Sequence, residues 1–192
     1  MKYKFIFLFI LSLSFLLSSC SKRAPLKPEN ICSIFNHEQK WLNHVENSRK
    51  KWGTPIHVQM AILYQESKFE SKAKPKRKKI LGLIPGKRKS SAYGFAQALT
   101  PTWKQYIKET GNHGADRDNF KDAIDFVGWY THKTQKVTKI SKWDAYNQYL
   151  AYHEGQGGFQ RGSYKNKQWL INVSKKVERV AKSYATQIKS CK

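Results

Sequence analysis

The chain has 192 residues, with 36 Lys+Arg against 13 Asp+Glu, a formal net charge of +23, six His and three Cys. That length suits one compact domain, and 40% hydrophobic with 14% aromatic residues is enough for a buried core, which excludes a disordered polyelectrolyte. Three cysteines are too few for a disulfide-dense scaffold, and no Cys-x-x-Cys pair or His-x-x-x-His array supports a zinc site, so no metal is expected.

At the start of the chain, Lys2 and Lys4 precede an apolar run, Phe5 to Leu17, that ends in small residues and a cysteine. This is the pattern of a secretory signal. The stretch from Phe5 to Ser19 is short against the roughly 20 residues of a membrane span. Leu17-Ser18-Ser19-Cys20 resembles a bacterial lipobox, which implies cleavage before Cys20 and acylation of that cysteine. The chain then divides into a signal peptide, 1–19, a lipid-anchored basic tether, 20–28, and one domain, 29–192. Ser21, where an Asp would signal inner-membrane retention, points to the periplasmic face of the outer membrane. Removing the signal takes away two lysines and no acid, which leaves +21 on the exported part. Export takes nucleic acid out of reach as a partner and puts anionic wall polymer and anionic lipid in its place.

Along the mature chain, helical spacing of Ile31, Ile34, Trp41, Val45 and Trp52 predicts a first helix from Pro28 to the stop at Gly53. Thr54-Pro55 supplies a cap and a proline first turn for a second helix, which runs to Glu66. Residues 71–91 then interrupt the pattern, with nine Lys/Arg between Lys72 and Lys89 around an apolar island, Ile80 to Gly86. This basic insertion reads as a loop or hairpin, either a solvated charge run or a contact for an anionic substrate or lipid. Further helices follow from Thr100 to Thr110, from Asn119 to about Val137, and from Ser141/Asp144 to Tyr152 or Glu154 before the glycine-rich Gly155–Gly158. The last helix has the cleanest period, from Leu170 through Val177 and Tyr184, and places Cys191 on its buried stripe. Cys32 and Cys191 are a candidate disulfide near the two ends of the mature chain, with two unpaired thiols as the alternative. No run alternates as a strand, so the fold is mostly α, with at most a short β-hairpin near 80–95.

Glu66 closes an apolar helix, where the last helical carbonyls and the flanking Tyr64 and Phe69 disfavour its ionised form. A carboxylic acid kept protonated near neutral pH is what general-acid cleavage of a glycosidic bond requires. Gln65-Glu66-Ser67-Lys68-Phe69 with Ala73 resembles the Glu-Ser-x-Phe…Ala signature of the soluble lytic transglycosylase family. Ala92-Tyr93-Gly94-Phe95-Ala96-Gln97 is similar to that family's Gly-Leu-Met-Gln block, with Thr102 near its Pro-x-Thr position. Ala151-Tyr152-His153-Glu154-Gly155-Gln156-Gly157 resembles its Ala-x-Tyr-Asn-x-Gly-x-Gly block, and the three segments fall in the family's order. The insertion and the stretch from Ala115 to Tyr130 look like a lipoprotein branch of the domain.

The resemblance implies a lysozyme-like helical fold that cleaves the MurNAc–GlcNAc bond of peptidoglycan and closes a 1,6-anhydro ring, without metal or organic cofactor. One carboxylate, Glu66, then serves as acid and base, unlike the carboxylate pair of most glycoside hydrolases. The residues carried over are Ser67 as a hydrogen-bonder to substrate, Gly94 for close sugar approach, Gln97 lining the cleft and Tyr152 orienting Glu66. Each has a plain structural reading too: a turn cap for Ser67, backbone satisfaction for Gln97, a core aromatic for Tyr152. His153 stands where the family has Asn. Glu154 adds a carboxylate, which leaves a muramidase hydrolase as a rival, and a non-catalytic peptidoglycan-binding lipoprotein is the rival outside enzymes. Asp116, Asp118, Asp122 and Asp125 read as helix caps and lysine partners, and Phe95, Trp103 and Phe159 as core or sugar-stacking rings.

Overall fold

The computed structural model describes residues 27–80 and 84–191. The export signal and Cys20 lie outside the described residues. The elements, in chain order, are α1 (Ile31–His37), α2 (Gln39–Trp52), α3 (Ile56–Ser67), β1 (Arg77–Ile80), β2 (Ile84–Arg88), α4 (Thr100–Thr110), α5 (Phe120–Thr138), α6 (Ala145–Gln160) and α7 (Gln168–Gln187), with a 3-10 turn at Ile188–Ser190. The fold is mostly helical, and β1 and β2 pair antiparallel as a two-stranded hairpin inside the basic insertion.

The expected first helix is two. Its ladder breaks at Glu38 (φ −122°, ψ 71°), so that α1 reaches α7 while α2 lies along α5. Pro55 stands at the N-cap of α3 in an extended conformation (φ −60°, ψ 147°), a place that needs no N–H from it. Thr54 does not cap the helix; its hydroxyl pairs with that of Thr131 on α5 at 2.7 Å.

Helix α3 organises the molecule. Ile56, Val58, Met60, Ala61, Ile62 and Leu63 are all buried, so it has no solvent face over most of its length and packs against α2, α5, α6 and α7. Gln59, a polar residue in that core, donates to the Thr54 carbonyl at 2.7 Å and accepts from the Ser48 hydroxyl at 2.7 Å, which satisfies both ends of the amide. Two consecutive left-handed residues, Lys68 (φ 55°) and Phe69 (φ 64°), stop the helix and fold the Phe69 ring back against Trp41 and Tyr64. Trp41 in turn stacks on Phe120, with ring centroids 3.8 Å apart.

The α2–α5 crossing depends on Gly128. A Cβ there would lie 2.4 Å from Ser48 Oγ and 2.5 Å from Trp52 Cδ1. Helix α6 is capped by Asp144, which accepts from the Asn147 N–H at 3.0 Å, rather than by Ser141. Its helical geometry breaks at Gly155 (φ 74°, ψ 157°), just after Glu154. Helix α7 buries Leu170, Ser174, Val177, Ala181 and Tyr184 and ends at Gln187, so Cys191 lies past the helix instead of on its stripe. Cys191 is joined to Cys32 on α1 by a disulfide.

Candidate active site

Glu66 sits in the last turn of α3, after the buried run Met60–Leu63, and the chain turns away immediately afterwards. The residue is half-buried, and the enclosure of its carboxyl by protein raises its pKa to about 7, with desolvation as the leading cause. Two groups oppose that shift, the Tyr149 hydroxyl and the Lys68 ammonium, both of which favour the carboxylate. Burial and these two partners leave the group divided between acid and base close to neutrality. The Lys68 ammonium is itself buried without a hydrogen-bond partner, lies 3.8 Å from the centroid of the Tyr64 ring, and has its pKa pulled down to about 8 by desolvation and by Lys176.

The family resemblance points to Tyr152, but Tyr149 is the phenol that bonds toward Glu66. The structure divides their work. Tyr149 on α6 reaches both Gln65 and Glu66 in looser contacts, whereas the Tyr152 hydroxyl donates to the Ala96 carbonyl at 2.7 Å. The charge of Glu66 still acts on both, helping to hold each phenol far above its ordinary pKa, although burial is the larger cause. The signal was present in the chain: residues three apart on a helix share a face, so Tyr152 pointed to Tyr149 as well.

The second block is built as a rigid turn. Gly94 adopts φ 77°, and a Cβ there would lie 2.0 Å from the Arg117 carbonyl oxygen, so close backbone approach by itself requires glycine here. Phe95 N–H donates to that same carbonyl at 3.1 Å. Gln97, itself at φ 45°, uses its amide nitrogen to bridge the Ala73 and Gly94 carbonyls, each at 2.9 Å. That fastens the segment to the chain just after Glu66. Ser67 is buried and bonds back to the Leu63 carbonyl at 3.3 Å.

Glu154 is an anchor. Lys167 Nζ lies 2.8 Å from both its oxygens, His153 Nδ1 is 3.0 Å away, and the Ser163 hydroxyl also donates. Those donors overcome the desolvation of a carboxylate whose side chain is 5% exposed and hold its pKa down at about 2. Both oxygens of Glu154 are thus engaged by protein donors. His153 is exposed and meets the exposed ring of Trp169 edge-on at 5.1 Å.

The acidic cluster forms no cap, since the cap of α5 is Asn119. Asp125 accepts from Lys51, Trp52 and Tyr106, Asp118 accepts from Tyr93, and Asp122 takes the Asp116 N–H. Phe95 and Trp103 belong to the core, and Phe159 stacks on Tyr164. Two surface cavities, of about 370 and about 340 Å3, lie elsewhere, and Glu66 lines neither.

A mostly helical domain in which a glutamate poised between acid and base ends a largely buried central helix, faced by tyrosines from a second helix, defines a lysozyme-like scaffold. The family model described as the transglycosylase SLT domain matches residues 8–191, and the chain belongs to that family. Its function is accordingly directed at peptidoglycan and of the lytic transglycosylase type. The match begins inside the stretch read as an export signal. Among curated proteins none matches the chain.

Proposed function

We propose that this protein is an exported lytic transglycosylase that cleaves the MurNAc–GlcNAc bond with Glu66 as its one catalytic residue. The observation that carries the reading is a half-buried glutamate whose pKa stands at about 7, with a phenol and an ammonium beside it. Protonated Glu66 gives its proton to the glycosidic oxygen as the C1–O bond breaks, and GlcNAc leaves with a free 4-hydroxyl. The resulting carboxylate, steadied by Tyr149 and Lys68, takes the proton of the muramic C6 hydroxyl, whose oxygen closes on C1. The 1,6-anhydro ring forms, Glu66 is protonated again, and no water is consumed.

In the same reading, residues 1–19 direct export and are removed, Cys20 carries acyl chains, and the domain hangs from the periplasmic face of the outer membrane. The Cys32–Cys191 bridge suits an oxidising compartment of that kind. The excess of basic residues holds the domain against the carboxylates of the stem peptides, an attraction that weakens with salt.

Mass spectrometry of the fragments that residues 21–192 release from purified peptidoglycan, beside Glu66→Gln at the same ionic strength, tests this. Anhydro-muropeptides from the parent protein alone are the expected result. Products one water heavier would make it a hydrolase. Release by neither protein, with both still pelleting with the wall, would make it a binding lipoprotein.

A further inference from the structure

The larger of the two cavities, about 370 Å3, opens where the basic hairpin meets the start of α4. Lys74, Arg88 and Arg117 line it together with Ser90, Tyr93 and Thr100, and no carboxylate is among its walls. The three cations are gathered there by structure. Lys74 Nζ lies 4.9 Å and Arg117 Cζ 5.2 Å from the centroid of the same Tyr93 ring, which is itself fixed by its hydroxyl bond to Asp118 at 2.9 Å. Arg117 donates through Nη1 to the Ser91 and Ala98 carbonyls, each at 2.9 Å, and Arg88 donates through Nη1 to the Pro75 carbonyl. Among the described residues the other nitrogens of both guanidiniums make no bond to protein. Like charges brought this close repel unless an anion joins them, and paired guanidinium N–H groups match the two oxygens of a carboxylate.

The cavity is mechanically continuous with the catalytic glutamate. Tyr93 begins the turn that Gln97 closes, the Arg117 carbonyl holds Phe95, and the Ala96 carbonyl receives the hydroxyl of Tyr152. The segment that carries Tyr93 into the cavity is therefore fastened both to the chain that follows Glu66, at Ala73, and to Tyr152 on α6. An anion tethered to a glycan at Glu66 is the occupant this arrangement fits.

We infer that the cavity is a carboxylate subsite for the stem peptide of peptidoglycan, formed by Lys74, Arg88 and Arg117. This rests on the peptidoglycan reading above and adds to it the part of the substrate that the basic insertion recognises. Phosphate headgroups of a membrane share the anionic chemistry, but they carry no tether to the glycan site.

The test is equilibrium binding in the Glu66→Gln background, with and without Lys74→Gln/Arg88→Gln. Three probes are used: soluble glycan fragments with intact stem peptides, the same fragments with every carboxylate amidated, and vesicles of anionic phospholipid. The double substitution should weaken binding of the carboxylate-bearing fragments about tenfold, and amidation should weaken binding to the unsubstituted cavity to a similar extent. Lys74→Gln alone, at an exposed residue with no hydrogen bond among the described residues, should cost about threefold. That single variant guards against a loosened hairpin base in the double one. Equal affinity of all variants for the carboxylate-bearing fragments overturns the inference, as does a loss confined to the vesicles, which would assign the cations to lipid. The readout is binding by a chain lacking its acid, so failure of the catalytic reading shows in the product assay and not here.

Discussion

At the residue scale, the behaviour of Glu66 with pH follows from burial. Its folded pKa of about 7 lies above the value near 4.5 of an open glutamate, so the folded state binds the extra proton. The stability it contributes is present below about 4.5 and is lost as pH rises through about 7. Glu66→Gln, which has no charge to desolvate, is expected to outlast the parent protein above pH 7 by roughly 3 kcal/mol, or about 9 °C in Tm, with the difference vanishing near pH 4 in paired calorimetric melts. On the proposed mechanism kcat/KM should also fall as pH rises past about 7, when the acid is lost. Tyr149→Phe removes a donor that favours the carboxylate, so the descending limb of that pH profile should move to higher pH, while kcat near neutrality drops because the base step loses its support. A profile that stays in place would show that Tyr149 only fills space. The Ser67 hydroxyl, by contrast, bonds back to the turn before it.

At the element scale, helices are positioned by the groups that let them approach. The α2–α5 crossing has no room for a methyl group at Gly128, where a Cβ would overlap Ser48 and Trp52. Gly128→Ala gains up to about 1 kcal/mol of helix propensity, but overpacking of this kind costs about 1–3 kcal/mol. The net change should be destabilising, read as a lower midpoint in urea, and a midpoint that rises would mean the helices slide apart freely. Element boundaries in the chain were legible where punctuation was strong. Gly53 and Gly111 each stop a helix in a left-handed conformation as read. The break at Glu38 was not legible, because the apolar spacing runs through it unchanged and only the separate packing of α1 on α7 demands a bend. The cap of α6 was misplaced by three residues for a similar reason, since Ser141 and Asp144 are both good caps and only the path of the chain into α6 chooses Asp144.

At the scale of the whole molecule, the two ends of the domain are tied by the Cys32–Cys191 bridge across a separation of 159 residues. Closing a loop of that length lowers the entropy of the unfolded chain by about 5 kcal/mol in the chain-entropy model. Cys32→Ser/Cys191→Ser should therefore show a markedly lower urea midpoint, and reductant should produce the same fall in the parent protein and none in the variant. The chain by itself determined that one helical domain forms, that Glu66 ends its apolar helix and that the basic insertion stands apart, because burial patterns, glycine stops and charge runs are local properties. Tertiary structure alone decided which groups face that glutamate and what the other site residues do. Tyr149 rather than Tyr152 bonds toward Glu66, Gly94 lets the Arg117 carbonyl approach, and Glu154 is held by Lys167. Those roles depend on contacts between segments far apart in sequence, and no local pattern encodes which of two good donors arrives first.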